Sequence, residues 1–329
     1  MSSEPQDLRD LLQSSLGTGY RLSRELGGGG MAKVFVADDG GRRVVVKVLS
    51  PDLAAGVNLE RFKREIQLAA KLHHPHIVPV LGAGQSGDQL MYYTMPFIEG
   101  ETLRALVTRE QRLDVDHALA IAGDVASALS YAHQLNIVHR DIKPENILIE
   151  KASGHALVTD FGIARAIEKA ADIQSVTSTG LTLGTPTYMS PEQAAADRNI
   201  DGRSDIYSLG CVLYEMLAGD PPFTGPTARG IIARHMKEAP PPIRHVRSDL
   251  PAPVQHVLDR MLAKPPEDRF QSADDLARAL ANPAAAVDAA RKPQRAGITR
   301  TVLGAALALL ALIVILIAVW ALRGGVSGS

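Results

Sequence analysis

Cysteine is almost missing from this chain. Cys211 stands alone among 329 residues, so no intrachain disulfide can form. It lies in the apolar run DIYSLGCVLYEML and reads as an inert core thiol, which fits a reducing compartment. An excess of charge of either sign is missing too. The 35 Lys and Arg oppose 36 Asp and Glu, a formal net charge of −1 that removes any global electrostatic case for nucleic acid as the partner. The opening MSSEPQDLRDLLQ lacks the apolar core of a secretory signal, and no internal repeat runs through the sequence.

What is present is apolar. Hydrophobic residues make up 46%, enough for a sizeable core in a chain of this length. Residues 302–322, VLGAALALLALIVILIAVWAL, carry no charge. As a helix they would reach about 31 Å, the thickness of a bilayer's hydrocarbon core. A buried core helix usually shows one polar side and this segment has none, so a membrane span is expected. Arg291, Lys292, Arg295 and Arg300 precede it and only Arg323 follows, which keeps the large N-terminal part in the cytoplasm. Trp320 suits the interfacial belt. Gly304 and Ala308 form a small-xxx-small pair able to support helix pairing, and with it a homodimer.

Residues 1–19 read as a short amphipathic lead-in. Three strand-like runs follow, YRLSREL, AKVFVAD and RRVVVKVL, the last two joined by the tight-turn signal DGG. NLERFKREIQLAAKL has helical period, with Phe62, Ile66 and Ala69 on one face. HIVPVLGAG and QLMYYTMPFI read as further β segments. Beyond residue 100 the pattern turns helical, and DHALAIAGDVASALSYAHQ sets Ala118, Ile121, Ala122, Val125, Leu129 and Ala132 on one stripe. The expected class is α+β, a small β-rich lobe followed by a larger helical one. Residues 163–190, rich in Ser and Thr, read as a functional or disordered segment, and 283–298 as a linker.

The stretch IVHRDIKPENILI, residues 137–149, carries the chemistry. Asp141, Lys143 and Asn146 fall in a polar loop between a helix and a strand, and Asp160 ends a second strand in LVTDFGIA. A hairpin bringing Asn146 near Asp160 offers two hard oxygen ligands of the kind Mg²⁺ takes beside phosphate oxygens. Asp141 is then free to accept a proton from an attacking hydroxyl. Lys47, closing VVVK, supplies positive charge, and Glu65 on the next helix can pair with it. Phosphoryl transfer requires little more than positioning, metal and positive charge.

The ordered set LGGGGMAKV, VVVK, HRDIKPEN, DFG, GTPTYMSPE, SDIYSLG and DRF resembles the protein-kinase domain, closest to the bacterial Hanks-type (eukaryotic-like) serine/threonine kinases, often membrane-anchored. The resemblance covers residues 20–282. It implies a bilobal fold with an N-lobe at 20–98 and a C-lobe at 99–282. A juxtamembrane linker at 283–301, a transmembrane helix at 302–322 and an external tail at 323–329 would follow. It also implies transfer of the γ-phosphate of ATP to Ser and Thr hydroxyls of protein substrates, with Mg²⁺, or Mn²⁺ in its place, as the metal. The setting would be the inner face of the cell membrane.

Carried over residue by residue, the resemblance makes Asp141 the catalytic aspartate and Lys143 a partner of the moving phosphoryl group. Asn146 and Asp160 become metal ligands, Lys47 the α/β-phosphate contact, and Glu65 its ion-pair partner. The run ELGGGGMAKVFVA, alone a plausible linker, now resembles the phosphate-covering hairpin, with Gly27 and Gly29 as its first two glycines and Ala32 where a third is usual. The implied ATP-binding residues are Leu26, Gly27, Gly28, Gly29, Gly30, Val34, Val45, Lys47, Pro96 and Ile98, with Met95 as gatekeeper. Thr185 would brace Asp141 and Lys143, Glu192 would pair with Arg269, and Asp205 would brace the catalytic loop.

Three positions depart from the pattern: Val45 and Ser190 each stand where alanine is customary, and Pro96 where an acid is common. None removes a catalytic group. Arg140 is expected to await a phosphate, and SVTSTGLTLGT offers Thr177 and Thr179 as autophosphorylation sites. The cluster HHPHIV suggests a metal site, but no cysteine or carboxylate joins it in the sequence, and it reads as structural. Two alternatives to an active kinase are a nucleotide-binding scaffold without catalysis and a small-molecule phosphotransferase. The GTPTYMSPE segment, a peptide platform in protein kinases, disfavours the latter.

Overall fold

The computed structural model describes residues 4–29, 32–49, 59–86, 90–161 and 186–291. Five antiparallel strands build the N-terminal sheet: β1 (Tyr20–Gly29), β2 (Ala32–Asp39), β3 (Arg42–Leu49), β4 (Gly82–Ser86) and β5 (Leu90–Pro96), in the order β1-β2-β3-β5-β4. Gly40 and Gly41 turn β2 into β3 with φ of 59° and 94°, the left-handed pair that a two-residue hairpin loop requires. On β3 the period of two separates function from core. Val44, Val46 and Val48 are fully buried on one face, while Val45 and Lys47 occupy the other.

The Val44 face is covered from the N-terminal side. Helix α1 (Glu4–Leu16) places Leu8, Leu12 and Leu16 in one cluster with Leu22, Phe35, Val46 and Leu90. Gln13 ties it down by donating to the Tyr20 carbonyl at 2.7 Å and accepting from the Leu22 N–H at 2.8 Å. The stretch expected as a lead-in is therefore part of the lobe's core. Helix α2 (Leu59–Ala69) buries Phe62, Ile66 and Ala69, the face its period predicted.

Residues 76–80 do not join the sheet, contrary to the strand expected over HIVPVLGAG. Pro79 has no N–H to give a ladder. Its neighbours bond to the other lobe instead: Val78 N–H donates to Val158 O, and Val158 N–H to His76 O, each at 2.9 Å.

The helical lobe comprises α3 (Leu103–Glu110), α4 (Val115–Gln134), the short α5 (Pro191–Ala194), α6 (Gly202–Ala218), α7 (Ala228–Lys237), α8 (Ala252–Met261) and α9 (Ala273–Ala281), and α10 (Pro283–Arg291) follows in the chain. All six residues of the expected α4 stripe are buried. Every residue of α6 from Ser204 to Ala218 is buried, so α6 is the helix around which the lobe packs. A small sheet of β6 (Gly100–Thr102), β7 (Ile147–Glu150) and β8 (Ala156–Val158) lies where the lobes meet, with Ile147 opposite Val158. The expected span at 302–322 lies outside the described residues; among those described, no helix is long and apolar enough to cross a membrane.

Candidate active site

The loop between α4 and β7 is held from below by one acid. Asp205, fully buried in the first turn of α6, accepts the His139 N–H and the Arg140 N–H at 2.8 Å on separate oxygens, and lies 2.8 Å from His133 Nε2. Burial pushes the Asp205 carboxyl up, but the hydrogen bond and charge of His133, with the Arg140 N–H, outweigh it and hold it below the ordinary value. These bonds fix Arg140 at φ 69°, a left-handed conformation costly for a residue with a Cβ. Asp205 thus braces the loop, as expected.

His139 joins this loop to the strand beside it. Its Nε2–H donates to Thr159 O at 2.7 Å, so Nδ1 is left to accept the Asp141 N–H at 3.2 Å. The ring meets Phe161 edge-on at 4.6 Å. Thr159 N–H donates to Asn146 O at 2.9 Å, which closes the β7–β8 hairpin and brings Asn146 beside the segment carrying Asp160.

Asp141 is the centre of a small polar network. Its Oδ2 accepts from Lys143 Nζ at 2.6 Å and from Asn146 Nδ2 at 2.9 Å, and Asn146 Nδ2 also donates to Asp141 O at 2.8 Å. With its amide nitrogen committed this way, Asn146 turns its oxygen away from Asp141. The Asp141 side chain is 40% exposed, so it can be reached from outside.

Asp160, at φ 66°, is gripped on both oxygens: Lys47 Nζ pairs with Oδ2, and Tyr93 O–H donates to Oδ1 at 2.5 Å. The family resemblance implies Glu65 as the partner of Lys47. Among ion pairs of the described residues, Lys47 is joined to Asp160 instead, while Glu65 is buried on α2. Lys47 supplies the contact cation that an ionised, desolvated Asp160 requires. Burial pushes the Asp160 carboxyl up; Lys47 and the Tyr93 hydroxyl more than reverse this and hold it low. Tyr93 is a site residue that no motif announced. Its only trace in the sequence was its place on β5, directly opposite Lys47 of β3.

The glycines form the β1–β2 hairpin rather than a linker, with Gly27 opposite Val34, Gly28 opposite Lys33 and Gly29 opposite Ala32. The ladder shifts register at Gly27, whose φ of 114° suits glycine alone. Gly30 lies outside the described residues. Leu26 is exposed, Val34 half-buried and opposite Lys47, and Val45 buried and opposite Met95. Pro96 and Ile98, both half-buried, continue from β5 toward the second lobe.

On the helical side, Glu192 and Arg269 form the expected pair, bidentate at 2.7 and 2.9 Å, with Arg269 fully buried. Ser190 has a purpose that alanine lacks. It caps α5, accepting the Gln193 N–H at 3.2 Å while Gln193 Oε1 accepts the Ser190 N–H at 3.1 Å. Gln193 also donates to Arg140 O at 2.8 Å, linking this platform to the loop. Cys211 is buried and burial raises its thiol well above the ordinary range, as an inert core thiol should be. Thr177, Thr179 and Thr185 lie outside the described residues. The histidine cluster departs from expectation, because a carboxylate does join it: Asp124 lies between His76 and His155.

Residues 20–280 match the family model described as "Protein kinase domain". The "Serine/threonine-protein kinase PknB" of Mycobacterium tuberculosis is 44% identical over 269 residues, covering 80% of this chain and 42% of that protein. The protein of the same name from Mycobacterium leprae is 44% identical over 263 residues, 78% of this chain and 42% of its own. That from Mycolicibacterium smegmatis is 42% identical over 263 residues, 78% and 41% respectively. The match therefore spans less than half the length of these curated relatives.

Proposed function

Because the chain belongs to the protein kinase family, we propose that it is an active serine/threonine protein kinase, passing the γ-phosphate of ATP to hydroxyls of protein substrates. The observation that carries this reading is the single network of Asp141, Lys143 and Asn146, set beside Asp160 by the β7–β8 hairpin. Family membership implies ATP and a divalent metal. The donor set suits Mg²⁺, since the Asn146 amide oxygen is turned from Asp141 and each Asp160 oxygen keeps a further lone pair. When bound, the ion would neutralise charge on the phosphates.

The chain's own residues supply the rest. Asp141 uses Oδ2 to hold Lys143 and Asn146, which leaves Oδ1 to orient a substrate hydroxyl and take its proton. Lys143, tethered to Asp141, sets a positive charge at the point where the phosphoryl group moves. Lys47 offers its charge to the α- and β-phosphates from the open face of β3, under the glycine hairpin. Glu192, Arg269 and the capped α5 support the segment against which a peptide would lie.

Incorporation of γ-phosphate into a generic basic protein tests this. Asp141→Asn should lower the rate by about 10²–10⁴-fold, the usual worth of a general base, with nucleotide binding retained. Incorporation by neither protein would favour the scaffold alternative, and equal incorporation by both would remove Asp141 as the base.

The same proposal extends to setting and control. The uncharged run 302–322 and the basic excess before it support a single span with the kinase lobes on the cytoplasmic face of the cell membrane, where Gly304 and Ala308 favour a homodimer. Arg140 supports autophosphorylation at Thr177 and Thr179, for its Nε is buried with no hydrogen-bond partner among the described residues. Phosphosite mapping of active enzyme should find one or both modified.

A further inference from the structure

Three side chains away from the phosphate-transfer site converge where the loop after α2, helix α4 and the β7–β8 turn meet. They are His76, Asp124 and His155, and one ligand atom from each lies within 4.8 Å of the other two. His76 Nε2 is 3.5 Å from Asp124 Oδ1, and His155 Nδ1 is 3.0 Å from Asp124 Oδ2. The two imidazole rings meet edge to face, centroids 5.3 Å apart.

Hydrogen bonding fixes which nitrogen of His76 is available. Nδ1 stands 3.0 Å from the Ala156 carbonyl oxygen, which can only accept, so Nδ1 carries the hydrogen. In the neutral ring Nε2 then turns a lone pair on a carboxylate oxygen. Two acceptors facing each other are stable only with a cation between or beside them, either a second proton on His76 or a metal ion. The two imidazole-to-carboxylate distances, 3.5 Å and 3.0 Å to separate oxygens of Asp124, lie either side of the about 3.3 Å that a tetrahedral ion with bonds near 2.05 Å sets between its ligand atoms. Outer support is in place as well. The Ala156 carbonyl orients His76, and the Ala156 N–H holds Asp124 Oδ2 at 2.9 Å. His74, by contrast, is committed elsewhere, stacked on Tyr131 with Nε2 3.3 Å from Ser127 Oγ.

We infer that His76, Asp124 and His155 bind a divalent transition-metal ion of the Zn²⁺ class, with a fourth position open to water. Imidazole donors select such ions over the Mg²⁺ of phosphoryl transfer, which prefers oxygen alone. His155 is 62% exposed and Asp124 only 19%, so the ion would enter past His155 onto a seated carboxylate. His76 sits in the loop that follows α2 and is already bonded through its carbonyl to Val158. Bound there, the ion would cross-link that loop to the helical lobe. This inference stands apart from the kinase reading, since it uses no residue of the phosphate-transfer site.

Calorimetric titration of the purified full chain with Zn²⁺ alone, in parallel with thermal unfolding, tests it. We expect a site of one equivalent and a rise in Tm at saturation. His155→Ala, an exposed change that leaves the fold intact, should weaken that binding at least ~10-fold, the loss even an outer-sphere partner causes, and abolish the Tm rise. Asp124→Asn should do the same while keeping its contact to Ala156. Co²⁺ in place of Zn²⁺ should give visible bands in the wild type that both variants lose. Absence of saturable Zn²⁺ binding, or equal affinity in wild type and His155→Ala, overturns the inference.

Discussion

Tyr93 faces Lys47 across the β3–β5 ladder and reaches the Asp160 carboxylate on its other oxygen. Burial, then the Asp160 charge, raise its phenol well above the ordinary value, so the hydroxyl stays a donor at every working pH. A hydrogen bond to a charged group is worth roughly 1.5–3 kcal/mol, and phenylalanine deletes the hydroxyl without altering the packing. Tyr93→Phe should therefore lower unfolding stability by about 2 kcal/mol. In an Asp160→Asn background the same change should cost much less, because the charge it served is gone. A urea-unfolding cycle on the four proteins isolates the coupling. A coupling near zero would show that Tyr93 merely fills space and that Lys47 alone holds Asp160.

Between elements, α7 is fastened to the peptide platform by a buried relay. Lys264 Nζ donates to Tyr207 O–H at 3.0 Å, the Tyr207 hydroxyl lies 3.0 Å from His235 Nδ1, and His235 Nε2–H donates to Thr187 O at 3.0 Å. Phe223 packs edge-on against the same ring at 4.9 Å. The relay needs a neutral imidazole. Burial, reinforced by the Lys264 charge, pushes His235 down to about 4 from an ordinary 6.5. Between those values the unfolded chain binds a proton that the folded chain refuses, so the contribution of His235 to stability falls as pH drops below 6.5 and is constant above it. Full protonation of the unfolded histidine alone amounts to about 3 kcal/mol at pH 4. Urea unfolding at pH 7.5 and at about pH 5 should differ by roughly 2 kcal/mol more in the wild type than in His235→Asn. Asp205 and Glu192, both held below their ordinary values, add their losses only at lower pH. Identical slopes in the two proteins would place the pH sensitivity elsewhere.

At the scale of the molecule, the legible parts were those encoded over short stretches. Asp141, Lys143 and Asn146 sit within six residues and share one loop, and the glycine hairpin follows from its flanking strands. What stayed hidden depended on which distant groups meet. The sequence pattern points Lys47 to Glu65 alone, and only the tertiary placement of Asp160 at the end of the β7–β8 hairpin brings it a second acid. His76 and Asp124 are 48 positions apart, so HHPHIV gave no hint of a carboxylate. The apolar face of α1 was readable as well, but not what it covers. It covers the sheet, with Leu12 fully buried in the cluster of Leu22, Phe35 and Val46, while Leu11 on the same helix is 55% exposed. Residue 20 is then an edge of the sequence motifs and not of the physical lobe. Leu12→Ala in the full chain should lower stability by about 2–5 kcal/mol, the usual range for emptying a filled core site. Leu11→Ala should stay within roughly 0.5 kcal/mol, as surface changes do. Chemical unfolding of the two variants decides the matter. Equal effects would mean that α1 rests on the lobe without stabilising it, and the sheet face of Val44, Val46 and Val48 would need another cover.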